Sequence, residues 1–212
     1  MSAPSLSGDD SLVLPEFDTP PADPLDLAHD WLDAAATREV SEPLAMTLAT
    51  AGADGRVAAR TVLVKEIDAA GLVFGSSAAS PKGRQLAENP FAALQVYWRE
   101  TMQQLRFEGR VQALSDAESD ALFADRTAKS RAATAVAAQS APLGERSLHD
   151  LIDDANTLLD RHGDDVPRPE SWRAWRLVPD TVEFWHGSRD RMHRRLQYRA
   201  TPSGWTAQRL QP

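Results

Sequence analysis

Five arginines, at 189, 191, 194, 195 and 199, crowd around His193 in the stretch EFWHGSRDRMHRRLQYR, residues 183–199 of a chain with formal net charge -8. Guanidinium forks match carboxylate and phosphate geometry through paired hydrogen bonds, so such a cluster suits an anion site. The same arginines also suit a solvated strand edge, where charge resists edge-to-edge association. More basic groups stand on and beside other extended segments. In ARTVLVKEI, Arg60 and Lys65 are five positions apart, which on an unbroken strand directs them to opposite faces. GSSAASPKGR places Ser76, Ser80 and Lys82 where a strand runs into a helix N-terminus. Backbone donors, hydroxyls and the helix dipole favour a phosphate there, although a serine ahead of a helix also serves as a plain cap. Gln103-Gln104 and Gln139-Ser140 offer amides able to read the carbonyl and N–H edges of a planar heterocycle, or simply to face water. Trp185, beside His186, suits either a cover for a flat ring or a core position.

Several familiar engines are missing. None of the 11 glycines is spaced Gly-x-Gly, so there is neither a dinucleotide fingerprint nor a phosphate-binding loop. No Gly-x-Ser-x-Gly elbow occurs. With no cysteine, thiolate catalysis, disulfides and Cys-ligated metal are excluded. The five histidines have no compact ligand spacing, so no metal site is proposed. The acidic total argues against nucleic-acid binding. No apolar run reaches the roughly 20 residues that span a bilayer, and MSAPSLSGDD is not a secretory signal, so the expected location is the cytoplasm.

These side chains need a frame. Residues 1–22, rich in Pro, Ser and Asp, are expected to form a flexible or draped N-terminal arm, and 23–212 a single domain. Asp23-Pro24 caps an amphipathic helix over 24–37. Strands are expected at 45–51, 56–67 and 71–77, joined by short turns as an antiparallel meander. A helix follows over 82–89, then strands at 91–99 and 103–114. Ser115 and Glu118 form a capping box for a helix to about 125. Helices are expected over 128–140 and 148–163, and the tail returns to strands, with WRAWRLVP and TVEFWHG separate, then MHRRLQYRA and GWTAQRL. This order predicts an α+β fold, an antiparallel, Greek-key-like β-barrel with peripheral helices.

From about residue 22 onward, the motifs ARTVLVK, SPKGRQLAENP, the Gln139-Ser140 pair and VEFW…RMH resemble the pyridoxamine 5′-phosphate oxidase-like flavoproteins. The resemblance implies an FMN-binding split β-barrel and a homodimer whose two subunits build each site. It implies that Arg60 and Lys82, with Ser76 and Ser80, hold the FMN phosphate, while Thr61, Val62 and Leu63 run along the flavin. Gln104 would meet the ring from that same chain, with Gln139, Ser140, Trp185 and Arg195 as further FMN contacts. Lys65, Arg126, Ser130, Arg191 and His193 match substrate-binding positions.

The departures concern the substrate side. Leu122 stands where the vitamin oxidases carry a phosphate-binding tyrosine, WRAWR replaces Trp-Gly-Gly-aromatic-Arg, and Arg194 follows His193 where the motif takes Asp, Glu or Asn. Pro81 replaces an arginine of the phosphate cluster. DTPPADP, YWRETMQQ and SDAESDALF are similar to the phenazine-biosynthesis branch. That branch implies oxidation of reduced phenazine carboxylates by FMN, with O2 reoxidising the flavin and no obligatory catalytic base. The alternatives are a pyridoxine phosphate oxidase and a non-catalytic flavin or phenazine binder.

Overall fold

The computed structural model describes residues 7–212. A helix, α1 (Pro24–Thr37), precedes the meander β1 (Ala45–Ala51), β2 (Val57–Asp68) and β3 (Gly71–Ser77). Helix α2 (Pro81–Glu88) leads into the hairpin β4 (Phe91–Trp98) and β5 (Gln103–Ala113). Three helices follow, α3 (Asp116–Ala124), α4 (Ala128–Val136) and α5 (Leu148–His162), before β6 (Trp172–His186), β7 (Arg194–Thr201) and β8 (Gly204–Leu210).

The spatial order is β3-β2-β1-β4-β5-β6-β7-β8, all antiparallel, with β3 also paired to β6. The order β3-β2-β1-β4 is a Greek key, because β4 returns to lie beside the first strand of the meander. The β3–β6 pairing closes six strands into a barrel. Strand β6 makes the split: Trp172–Leu177 pairs with β3, whereas Thr181–His186 pairs with β7 and carries the β7–β8 ribbon outward. The expected break between two tail strands is absent. Pro179 is accommodated at a register shift opposite Glu108/Gly109, the kind of place where a strand tolerates proline. Gly109 is needed there, since a Cβ would sit 2.1 Å from the Val178 carbonyl oxygen.

Alternation puts Met46, Leu48, Val64, Phe74, Leu94, Leu105, Phe107 and Phe184 in the barrel core. Helix α1 plugs one end, with Trp31 edge-on to Phe184 at 5.0 Å. The opposite, outer face of β2 and β4 leaves Val57, Leu63, Phe91 and Tyr97 exposed. Among the described residues, no helix is long and apolar enough to cross a membrane.

The arm is draped over the domain. From Asp9 onward it lies along the barrel, because it carries its own anchors. Phe17 packs 6.1 Å from Trp31, the Trp31 indole N–H donates to Glu16 at 2.5 Å, and the Tyr198 hydroxyl donates to the Pro21 carbonyl at 3.1 Å.

Candidate functional site

The site is built from two half-sites on different parts of the barrel. The first is a cavity of about 690 Å³ between β2, β3, the start of α2, and helices α3 and α4. Arg60, Thr61, Val62, Leu63, Lys65, Ser76, Lys82, Arg126, Ser130, Gln139 and Ser140 all line it, so eleven of the anticipated residues converge. Arg60 and Lys65 both border this cavity, although the burial of β2 alternates without a break up to Val64, with Arg60 on the inward side and Lys65 on the exposed one. Thr61 and Val62, neighbours on opposite faces, border it too.

The geometry at the β3–α2 junction follows from its sequence. Ser80 caps α2, accepting from the Gly83 N–H at 3.3 Å, and Pro81 takes the first helical position, where its missing N–H costs nothing. Lys82 in the first turn is 7% exposed, and its Nζ donates to Ser76 Oγ at 3.1 Å and Ser80 Oγ at 3.4 Å. Ser80 itself is fully buried and does not reach the cavity, so it acts through Lys82. The Ala-rich helix stops at Val136, four residues before the expected end. Ser140 then turns with φ 66°, and Gln139 accepts from Ser76 Oγ and the Ser77 N–H, both at 3.2 Å.

The electrostatics are one-sided. Among the described residues, no carboxylate lines the cavity and none of Arg60, Lys65, Lys82 and Arg126 forms an ion pair. Burial lowers the Arg60 pKa; burial and then the nearby Arg60 charge lower that of Lys82. Arg126 is lowered by burial and then by Arg131. Its guanidinium lies against the edge-to-face pair Phe123 and Trp172, 5.4 and 5.5 Å from their centroids, and donates to Ser130 Oγ at 2.6 Å, while Nη1 is buried without a partner. Desolvated cations lacking counter-charges are stabilised by incoming anions. Two cationic poles result: Arg60–Lys82–Ser76 beside the start of α2 and Arg126–Ser130 at the junction of α3 and α4. Leu122 and Trp172 wall the second pole. Gly75 makes room for Trp172, whose ring a Cβ would meet at 2.3 Å.

The second half-site lies on the outer face of β5–β7. Gln104 is in register with Trp185, and Trp185 with Arg195. Gln104 therefore stands with Trp185 and not in the Arg60–Lys82 cavity. That corrects the expected grouping, which needed the cross-strand register to be known. Its Oε1 accepts from Gln95 at 3.0 Å. Trp185 is flanked by Tyr97 at 6.2 Å and His193 at 4.8 Å, ring to ring. His193 and Arg191 are in the loop before β7, which begins at Arg194 rather than at Met192. His193 Nδ1 accepts from the Ser188 N–H at 3.0 Å, so the neutral ring carries its proton on Nε2. Unlike the cavity, the strand surface of this half-site is charge-balanced. Glu183, 2% exposed, pairs with both Arg195 at 2.8 Å and Arg106 at 2.6 Å, and Glu108 pairs with Arg106 at 3.0 Å. Nothing in the spacing of TVEFW had marked Glu183, whose role depends on strands that close around it.

Two more arginines of the basic run hold the arm, while Arg199 donates to Gln197 Oε1 at 3.0 Å on its own strand. Arg194 pairs with Asp18 at 2.9 Å and covers the Phe17 ring at 4.6 Å, and Arg189 pairs with Asp10 at 3.6 Å. Exposed pairs of this kind contribute at most about 1 kcal/mol each. Arg194→Ala should thus leave global stability within that margin. Faster amide exchange over residues 9–18 should report a loosened arm; unchanged exchange would show that the contact holds nothing.

Along the sheet, β1 and β4 separate the β2 wall of the cavity from the Trp185 surface on β5–β7. The outer face between them carries Thr47, Ala49, Ala93 and Gln95, small or uncharged throughout.

Comparison with known proteins agrees with this geometry. Residues 32–152 match the family model "Pyridoxamine 5′-phosphate oxidase", and residues 172–212 match "Pyridoxine 5′-phosphate oxidase C-terminal dimerisation region". The pyridoxine/pyridoxamine 5′-phosphate oxidase of Burkholderia multivorans is 46% identical over 202 residues, covering 94% of this chain and 93% of that protein. The crystal structure of PhzG from Burkholderia lata, in complex with tetrahydrophenazine-1-carboxylic acid, superposes with TM-score 0.92 at 38% identity, covering 97% and 100% of the two chains. An FMN-binding protein from Nostoc punctiforme shares the fold, with TM-score 0.71 at 18% identity, over 86% of this chain and 96% of its own. The split barrel, the cation-lined cavity and near full-length identity of 46% to a curated oxidase agree: the chain belongs to the pyridoxamine 5′-phosphate oxidase family.

Proposed function

We propose that this protein is a homodimeric FMN-dependent oxidase that aromatises reduced tricyclic carboxylates of the phenazine series, with O2 as terminal electron acceptor. The fit of FMN rests on the contrast between the half-sites. The uncompensated Arg60–Lys82 pole, at a helix N-terminus with Ser76 beside it, suits a phosphate dianion. The charge-balanced Gln104–Trp185–Arg195 surface suits the neutral edge and face of a flavin ring. A two-fold partner laid over the small, uncharged outer face of β1 and β4 would bring one subunit's surface to the other's cavity. The family model named for dimerisation, matched over β6–β8, supports that arrangement.

When bound, FMN supplies the two-electron acceptor. The chain's residues then have to bind, orient and exclude water. Arg126 and Ser130, with Lys65, hold a substrate carboxylate at the second pole, and Arg191 and His193 of the partner's loop close the opposite side. His193 Nε2–H is placed to donate a hydrogen bond to an anionic or carbonyl oxygen. Aromatisation drives the oxidation, so no side chain has to act as a strong base.

The observation that carries the phenazine reading is Leu122 in the wall beside Arg126. An apolar side chain there packs against a fused hydrocarbon ring and offers no hydroxyl to a phosphate, and the PhzG similarity supports the same substrate class. The names of the curated relatives favour the second reading, oxidation of pyridoxine phosphate. Turnover decides between them. The purified protein should oxidise a reduced phenazine carboxylate with higher kcat/KM than pyridoxine 5′-phosphate, and the reverse order would establish the vitamin reading. Failure to bleach the flavin anaerobically with either compound would make the protein a binder only.

A further inference from the structure

Arg60 is held from behind by uncharged groups alone. Its Nη1 donates to Thr50 Oγ1 at 2.6 Å and to the Leu48 carbonyl at 3.2 Å, and its Nη2 to Gln85 Oε1 at 3.4 Å. Thr50 Oγ1 in turn donates to Gln85 Oε1 at 2.7 Å, and Thr50 is 2% exposed. Gln85 lies one turn beyond Lys82 on α2, so the network ties both cations of the phosphate pole to one helix. Several other arginines are anchored by carboxylates, Arg195 by Glu183, Arg176 by Asp68 and Arg168 by Asp116 and Asp120, whereas Arg126 and Arg131, like Arg60, are held by neutral oxygens. An arginine fixed by neutral acceptors keeps its full charge and its remaining N–H groups for a ligand. One fixed by a carboxylate is already neutralised.

We infer that Thr50 and Gln85 are positioning residues that aim Arg60 at the cofactor phosphate and, by being uncharged, set the preference for FMN over riboflavin. The inference rests on the FMN reading above. Gln85→Glu retains side-chain size but puts a carboxylate against Arg60, satisfying the guanidinium internally and repelling phosphate. Thr50→Val removes an acceptor without changing shape, and Thr50→Ser restores the hydroxyl.

Affinities of the apoprotein for FMN and for riboflavin, measured in parallel by flavin fluorescence quenching, test the inference. Gln85→Glu should weaken FMN at least about tenfold, the scale of one charge-assisted hydrogen bond, with riboflavin unchanged and thermal stability equal or higher. Thr50→Val should weaken FMN in the same selective way, and Thr50→Ser should recover it. An unchanged FMN-to-riboflavin ratio in Gln85→Glu and Thr50→Val, with wild type still preferring FMN, would overturn the positioning role and leave the flavin reading intact. Equal loss of both ligands in these variants would make the network merely structural and also overturn it. A wild type that does not prefer FMN would sink both.

Discussion

Lys82→Ala is expected to weaken FMN by between about tenfold and a hundredfold, the range of one charge-assisted hydrogen bond at a desolvated site, while riboflavin binding stays unchanged. Lys82 is a cation placed in the first turn of a helix, where the dipole disfavours positive charge, and it has only two serine hydroxyls for partners. Both unfavourable terms reverse when a phosphate arrives. The pH dependence has a definite sign. In the ligand-free chain, burial and then Arg60 hold the Lys82 pKa below 10.5, so the protonated group destabilises the apoprotein, and this penalty is relieved as pH rises through the lowered pKa. A bound phosphate favours the protonated form. FMN affinity should therefore fall as pH climbs through that lowered value, in the window below 10.5. Lys82→Ala should abolish the slope, and riboflavin should never show it. Isothermal titration of both flavins across alkaline pH checks this.

Arg126→Ala should act on the other pole. Its guanidinium rests against the Phe123–Trp172 pair and is bonded to Ser130, with one buried nitrogen left unpartnered. Removing a preorganised fork that binds a substrate anion costs about 1.5–3 kcal/mol, or roughly 10- to 150-fold in kcat/KM. The loss should appear mainly in KM, because this group binds substrate away from the reacting carbon. FMN affinity should not change. Arg126→Lys keeps the charge but loses the planar fork and its stacking, so it should recover only part of the loss. Steady-state kinetics with a reduced phenazine carboxylate, alongside FMN titration, separate these outcomes. Release of FMN by Arg126→Ala would contradict the division into two poles.

Much of the frame was legible because local rules agreed with the tertiary fold. Asp23-Pro24, Ser80-Pro81 and the Ser115/Glu118 box each start a helix where expected, and the strands over 45–51 and 71–77 have the expected limits. The failures come from places where non-local contacts overrule propensity. Alanines favour helix beyond Val136, yet Gln139 is drawn off by Ser76 and Ser77 on β3. Pro179 reads as a strand breaker, yet a register shift absorbs it. Strand alternation separates Arg60 from Lys65, and no periodicity shows that both border one cavity.

The site divides in the same manner. Residue types together with the family resemblance identified eleven residues that do converge on one cavity. They could not group Gln104 with Trp185, nor reveal that the anchors behind Arg60 and Arg195 differ in charge. The basic run is explained only in three dimensions. Arg195 is fixed by Glu183, Arg191 and His193 occupy the loop beside Trp185, and Arg189 and Arg194 hold acidic residues of the chain's own arm. Arg194, where the family motif takes an acid or amide, thus has a partner in Asp18.

The central claim is that one working site takes its cation-lined cavity from one subunit and its Trp185 surface from the other. Subunit mixing tests it directly. Arg60→Ala and Trp185→Ala damage opposite half-sites, and each variant alone should be nearly inactive. In a heterodimer of the two, one site collects both defects and the other collects none. An equimolar mixture, allowed to exchange with heterodimers confirmed by mass spectrometry, should regain roughly a quarter of wild-type activity, since half the dimers carry one intact site of two. A mixture no more active than its parents, with heterodimers present, would show that cavity and aromatic surface do not meet across the two-fold.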